Sequence, residues 1–256
     1  MPKRKTAYAT RPSASQSGVS SEALAAVQSF LTAQIGNAVK QIEAYVGIQH
    51  YLSTGRVMPA FHGWPISPDL GHYLIRRIES QSYDLVIEFG SGVSTWLIAH
   101  VGKNKPFKHL AFDHLPEFFE KTKQQLSEDG VQSVVDLRLT PLVPFVGEDQ
   151  VTYPYYDCNA ALAEHAQLLD QAGKRLLVLI DGPPASTGRH ARYPAMAHVL
   201  SHFQLADVDF LMDDYIRLDE QEILQRWVTE LDKNSIKYNK EIIRMEKDVA
   251  LLSLSK

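Results

Sequence analysis

The residues best suited to chemistry stand at the ends of apolar runs. Gly90-Ser91-Gly92 follows the run Leu85-Val86-Ile87-Glu88-Phe89 and opens a helical pattern. Glycines at such a junction let the backbone turn sharply and approach a ligand with no Cβ between them. Glu88 stands two positions before the first glycine, and Asp113 closes the next apolar run. A dinucleotide pyrophosphate calls for a third glycine three residues after the second, where this chain has Thr95. It also gains nothing from the Glu88 carboxylate. A zwitterionic ligand with an ammonium group and ribose hydroxyls can use Glu88. Asp113 is spaced to accept hydrogen bonds from a ribose diol in either case.

These residues need a scaffold, and the pattern supplies one. Strands are expected at residues 85–87, 109–113, 134–139, 176–180 and 208–212, each followed by a helical stretch or a loop and helix. The run Leu176-Leu177-Val178-Leu179-Ile180 is apolar throughout, as in a strand buried on both faces. Helices are expected over residues 69–80, 94–100, 116–126, 159–171, 195–203 and 219–231, the last opened by an Asp219–Glu222 capping box. Residues 237–245 and 249–254 read as a closing hairpin. The alternation predicts an α/β, Rossmann-like fold: a seven-stranded, mostly parallel sheet with an antiparallel last strand and helices on both faces. Ahead of it, apolar residues recur every three or four positions from Leu24 through Val27, Leu31, Ile35, Ala38, Ile42, Tyr45 and Gln49 to Leu52, one stripe on a long N-terminal helix. That stripe packs either on its own domain or in a homodimer seam; the spacing allows both. The expected organisation is a disordered tail over residues 1–20, a helix and linker over 21–66, and the α/β domain over 67–256.

The ordered motifs resemble those of class I S-adenosylmethionine-dependent methyltransferases. Glu88-Phe89-Gly90-Ser91-Gly92-Val93-Ser94-Thr95 resembles their first motif, Ala111-Phe112-Asp113-His114 their second acidic position, and Asp181-Gly182-Pro183-Pro184 their fourth motif. Together with Arg192-Tyr193-Pro194-Ala195, the set is similar to a bacterial group with glycine-serine-glycine-x-serine-threonine, aspartate-glycine-proline-proline and arginine-tyrosine-proline-alanine patterns. The resemblance implies an enzyme that binds S-adenosylmethionine. Gly90, Ser91 and Gly92 would meet the methionine part, with Glu88 orienting that end. Asp113 would hold the ribose, with His114 beside it, and Leu142, after the third strand, would lie near the adenine. Ser94 and Thr95 belong to the same motif, although capping the helix explains them as well.

At the open edge of the sheet, the chemistry implied is methyl transfer to an acceptor, with oxygen favoured. A hydroxyl acceptor needs a base or a metal ion to take its proton. Asp181 and His190 are the candidate bases, and Asp181 can also contact the cofactor. Asp213 and Asp214 end the strand after Asp181. Together the three resemble the Mg²⁺-binding carboxylates of catechol-type O-methyltransferases, with Asp214 where those enzymes carry asparagine. The expectation adopted is the ion-pair one, with Asp213 or Asp214 bonded to Arg217, and a bound Mg²⁺ is not favoured. Arg192 and Arg217 are candidates for an anionic group of cofactor or acceptor, since guanidinium forks suit carboxylate and phosphate. Tyr156, in an aromatic stretch over residues 153–157 read as a loop, is a candidate acceptor contact. His62 and Trp64, in the proline-rich linker, are candidates to close the pocket, although a linker packed on the domain explains them equally well. The acceptor class expected is a small molecule or a glycan-like molecule. The alternative to an enzyme is a binding module with a degenerate methyltransferase fold.

Composition sets the remaining bounds. The net charge of −4 argues against a general nucleic-acid binder. Cys158 is the only cysteine, which excludes an internal disulfide. No apolar run is long enough to span a bilayer, and the basic start is followed by no apolar segment of the signal-peptide kind, so a cytoplasmic protein is expected.

Overall fold

The structure is a computed structural model that describes residues 20–53, 55, 57–61, 63–169 and 172–255. The expected disordered tail, apart from Ser20, and His62 lie outside the described residues. The seven-stranded sheet is present, in the order β3-β2-β1-β6-β7-β9-β8. Its strands are β1 (Leu85–Phe89), β2 (Lys108–Asp113), β3 (Asp136–Leu139), β6 (Arg175–Ile180), β7 (Asp207–Met212), β8 (Tyr238–Ile243) and β9 (Val249–Leu254). The strands from β3 to β7 run parallel, and β9 pairs antiparallel with both β7 and β8. The order steps outward from β1 in both directions, so the ends of β1 and β6 flank a topological switch point, where such sheets bind ligands.

Alternation along β1 builds a core on each face. Leu85, Ile87 and Phe89 face one cluster, which includes Leu162, Met196, Val199 and Trp227. Val86 faces the other, with Leu74, Leu97, Ile98 and Leu126. The first cluster therefore draws in α5 (Asn159–Leu169), α6 (Pro194–His202) and α7 (Leu218–Lys233), and the second α2 (Pro68–Ser80), α3 (Val93–Asn104) and α4 (Pro116–Glu128).

Three local expectations are corrected. Residues 132–134 form a short 3-10 turn, so the third strand starts only at Asp136. The aromatic stretch is not a loop but β5 (Thr152–Tyr156), paired antiparallel with β4 (Leu142–Val146) in a separate two-stranded sheet. Tyr155 and Tyr156 are buried there, because their rings complete the core around Phe89. Finally, α7 begins at Leu218 with Arg217 at its N-cap and no side-chain cap, so Asp219 and Glu222 form no capping box. Their carboxylates turn to His190 instead.

The long helix is present as α1 (Ser21–Leu52). The chain divides into two compact units, one ending at Val39 and one beginning at Lys40. In the second unit, Ala44 and Ile48 are buried, Ile48 in the cluster with Phe61 and Leu74. Ile42 and Val46 of that unit are exposed, as are Leu24, Val27, Leu31 and Ile35 of the first.

Candidate functional site

The glycine turn is built by a close approach of the segments that follow β1 and β6. Gly90 has φ +102°, and a Cβ there would sit 3.0 Å from the backbone nitrogen of Gly182. Only glycine meets both conditions without strain. Its N–H donates to the Phe112 carbonyl at 3.0 Å, which ties the turn to the end of β2. Asp113 ends that strand. Its Oδ2 accepts the Ser91 hydroxyl at 2.6 Å and its Oδ1 accepts the Leu115 N–H at 2.9 Å, so the carboxylate is oriented before any ligand arrives. Gly182 must also lack a side chain, because a Cβ would collide with the Tyr156 hydroxyl.

These groups open on a cavity of about 990 Å³. Of the residues expected at the site, Gly90, Ser91, Gly92, Ser94, Asp113, His114, Tyr156, Asp181, Arg192, Asp214 and Arg217 line it. Burial holds the His114 imidazole below its ordinary pKa, so it is neutral near pH 7.

Five expected residues do not line the cavity. Glu88 is fully buried, and its Oε2 lies 2.6 Å from His109 Nε2, behind the glycine turn. Thr95 is buried and accepts the Gly92 N–H at 3.1 Å, which caps α3. Leu142 begins β4 and packs against the core. His190 is 4% exposed, with Nε2 2.5 Å from Glu222 and its backbone N–H on Asp219, so it faces α7 and not the cavity. Asp213 is fully buried beneath the rim.

The acidic residues converge through strand register. Ile180 pairs with Met212, so Asp181 and Asp213-Asp214 leave adjacent strands at the same height. Arg192, itself buried, binds them together. It donates to the Asp213 carbonyl at 2.9 Å, the Asp181 carbonyl at 2.7 Å and the Asp214 carboxylate at 2.9 Å. Burial, then the neighbouring Asp213 charge, raises the Asp181 pKa well above the usual carboxylate range, against the pull of Arg192. Burial and the Asp214 charge push Asp213 up to about 6. A raised pKa makes a carboxylate, where ionised, a stronger proton acceptor.

The expected ion pair with Arg217 forms at Asp214, at 2.9 Å. The Asp213 side chain does not take part: both of its oxygens lack a hydrogen-bond partner. Oxygens of Asp181, Asp213 and Asp214 lie within 4.8 Å of one another. Hard oxygen donors of this kind, with one buried carboxylate unsatisfied, fit a divalent cation such as Mg²⁺. A second group, His190 with Asp219 and Glu222, is an ion-pair network in which Arg189 holds Glu222 at 2.8 Å.

Lys247 and Phe118 also line the cavity, and neither was expected from sequence. Lys247 comes from the β8–β9 turn, which only the sheet topology brings here; its Nζ donates to the Pro65 carbonyl at 3.0 Å and pins the linker to the rim. The signal for Phe118 was its place two residues into α4, directly after the Asp113 strand. Trp64 does line the cavity, as expected of a closing residue.

No protein-family profile matches the chain, and no curated protein matches it in sequence. Solved structures do match. The Podospora anserina methyltransferase PaMTH1, bound to S-adenosylhomocysteine, has a TM-score of 0.54 at 12% identity over 83% of this chain and 88% of its own. The O-methyltransferase TomG from Streptomyces achromogenes, involved in tomaymycin synthesis and in complex with S-adenosylmethionine, gives 0.52 at 11% over 84% and 89%. A Bacillus cereus O-methyltransferase in complex with S-adenosylhomocysteine gives 0.52 at 12% over 84% and 91%. With the seven-stranded order, the antiparallel β9 and the glycine turn after β1, these likenesses show that the chain has the class I methyltransferase fold.

Proposed function

We propose that the protein is an S-adenosylmethionine-dependent methyltransferase that methylates an oxygen of a small or glycan-like acceptor. The observation that carries this reading is Asp113, held by Ser91 and the Leu115 N–H at the cavity edge beside Gly90–Gly92. Two oriented carboxylate oxygens next to a glycine turn suit a ribose diol. The cofactor-bound neighbours TomG and PaMTH1 support the same cofactor here. In this reading Ser91, Gly92 and Ser94 receive the methionine end and His114 lies along the nucleoside. The cytoplasmic setting is part of the proposal, in keeping with a single, buried, unpaired cysteine. Among the described residues, no helix is long and apolar enough to cross a membrane.

The bound cofactor supplies an electrophilic methyl on a sulfonium. Asp181 would accept the acceptor's O–H in a hydrogen bond and take its proton, leaving the oxygen free to receive the methyl group. Arg192 fixes the Asp181 carbonyl and carboxylate in place, and alignment of the reacting atoms contributes most of the acceleration. A second reading keeps this site and adds a divalent cation held by Asp181, Asp213 and Asp214, on the strength of the unpartnered Asp213 oxygens. The ion would supply positive charge beside the acceptor oxygens.

The exposed stripe of α1 supports a homodimer. Leu24, Val27, Leu31, Ile35 and Val39 of the first unit are each roughly half exposed. At roughly 100 Å² each they offer on the order of 500 Å² per protomer, over half of the roughly 800 Å² per partner of a standard interface.

Calorimetric titration with S-adenosylhomocysteine, beside a parallel titration with NAD⁺, tests the central reading. Micromolar binding of the first alone supports it. Binding of NAD⁺ instead, or of neither, overturns it. Loss of transfer in Asp181→Asn with unchanged cofactor affinity would separate an enzyme from a binding module.

A further inference from the structure

The two other tryptophans of the chain, Trp96 and Trp227, are 1% exposed, whereas Trp64 is 71% exposed. It is not a stray surface ring. It stacks on Phe118 with ring centroids 5.9 Å apart and an interplanar angle of 21°, and both rings line the cavity. An aromatic of this size normally contributes by burial. Exposed on the cavity lining, its ring has a face available for stacking.

The rest of the rim defines that ligand. Arg217 and Lys247 line the same cavity on either side of the Asp214 carboxylate, at 2.9 and 3.9 Å from it; Arg217 is half exposed and Lys247 also donates to the Pro65 carbonyl. Trp64, Phe118, Arg217 and Lys247 thus share one cavity with Asp181. Polymer hydroxyls would call for a lip rich in amide and carboxylate side chains. A planar ring with an acidic substituent matches rings and cations instead, by stacking and by charge complementarity.

We propose that the acceptor is a hydroxylated aromatic anion whose ring lies against the Trp64–Phe118 platform, with its anionic group on Arg217 and Lys247 and its hydroxyl directed to Asp181. This rests on the methyltransferase reading and names the acceptor class for it. Trp64 is then a specificity-determining residue that touches substrate.

The test uses the full chain saturated with S-adenosylhomocysteine and 4-hydroxybenzoate as the probe. The acrylamide-quenchable part of the tryptophan emission reports on Trp64, since Trp96 and Trp227 are buried. Saturable quenching, with protection of that emission from acrylamide, is expected for 4-hydroxybenzoate. Calorimetry should show its binding lost in Trp64→Ala, retained in Trp64→Phe and weakened about tenfold in Arg217→Gln, the scale of one charged hydrogen bond. Phenol, which lacks the anion, and glucose 6-phosphate, which lacks the ring, should each bind at least about tenfold more weakly. Equal binding of 4-hydroxybenzoate by Trp64→Ala overturns the proposal, as does preference for glucose 6-phosphate. S-adenosylhomocysteine binding in the same samples separates the two levels. If it binds and the aromatic acid does not, the acceptor class is wrong and the enzyme reading stands; if neither binds, both fail.

Discussion

Asp113→Asn is the substitution that isolates the ribose contact. The side chain keeps its size, and its remaining oxygen can still accept the Leu115 N–H that Oδ1 now holds at 2.9 Å. The other oxygen becomes an amide that donates. Ser91, whose hydroxyl now donates to Oδ2 at 2.6 Å, can turn and accept, so the glycine turn loses little. A ribose hydroxyl can reorient in the same way, but its bond to a charged acceptor becomes a neutral one. Hydrogen bonds to charged groups contribute about 1.5–3 kcal/mol, so Kd for S-adenosylhomocysteine should rise about 10- to 150-fold. Calorimetry measures this directly. Thermal unfolding without ligand provides the control, since about 1 kcal/mol of lost stability in a domain of this size moves Tm by only about 2–4 °C. An unchanged Kd would refute the assignment of Asp113. A fall in Tm with no change in Kd would show that the residue only braces the turn.

Three further outcomes are expected. Arg192→Met leaves Asp181, Asp213 and Asp214 without their buried counter-charge, which should cost about 3–5 kcal/mol in urea unfolding; recovery of much of that loss by millimolar Mg²⁺ would favour the cation reading, and no recovery would count against it. His198 stacks on Tyr155, its Nε2 has no partner, and burial lowers its pKa to about 4. The unfolded chain binds this proton more tightly, so its contribution is complete above about pH 6.5 and is lost as pH falls through about 4, a loss of roughly 2–3 kcal/mol. A urea midpoint that drops over that window in the native chain and drops less in His198→Gln confirms the sign; parallel curves refute it. Ile35→Glu places a charge in the exposed α1 stripe and should convert a dimer to a monomer in light scattering, whereas a native chain that is already monomeric removes the dimer.

Much of the fold was legible because a parallel sheet announces itself in alternating apolar runs and helical stretches. The glycine turn and Asp113 were equally readable, since both are consequences of strand ends, where backbone geometry restricts residue choice. Asp181, Asp213 and Asp214 could be placed together by the same logic, as the terminal residues of neighbouring strands. The sequence could not say what those carboxylates bond to. His190 looked like a base by its type and position, yet the path of its loop turns it onto Glu222, away from the cavity. Glu88 looked like a ligand contact, but it lies in the middle of β1's pairing with β2, and its side chain goes to His109 in the core. Tyr155 and Tyr156 read as loop aromatics because a strand broken by Pro154 and lying outside the main sheet has no clear pattern. Arg192's grip on two strand ends, Lys247's reach across from the closing hairpin and the Trp64–Phe118 stack join residues far apart in the chain. Local propensity and periodicity carry no information about such contacts; packing of the finished tertiary structure decides them.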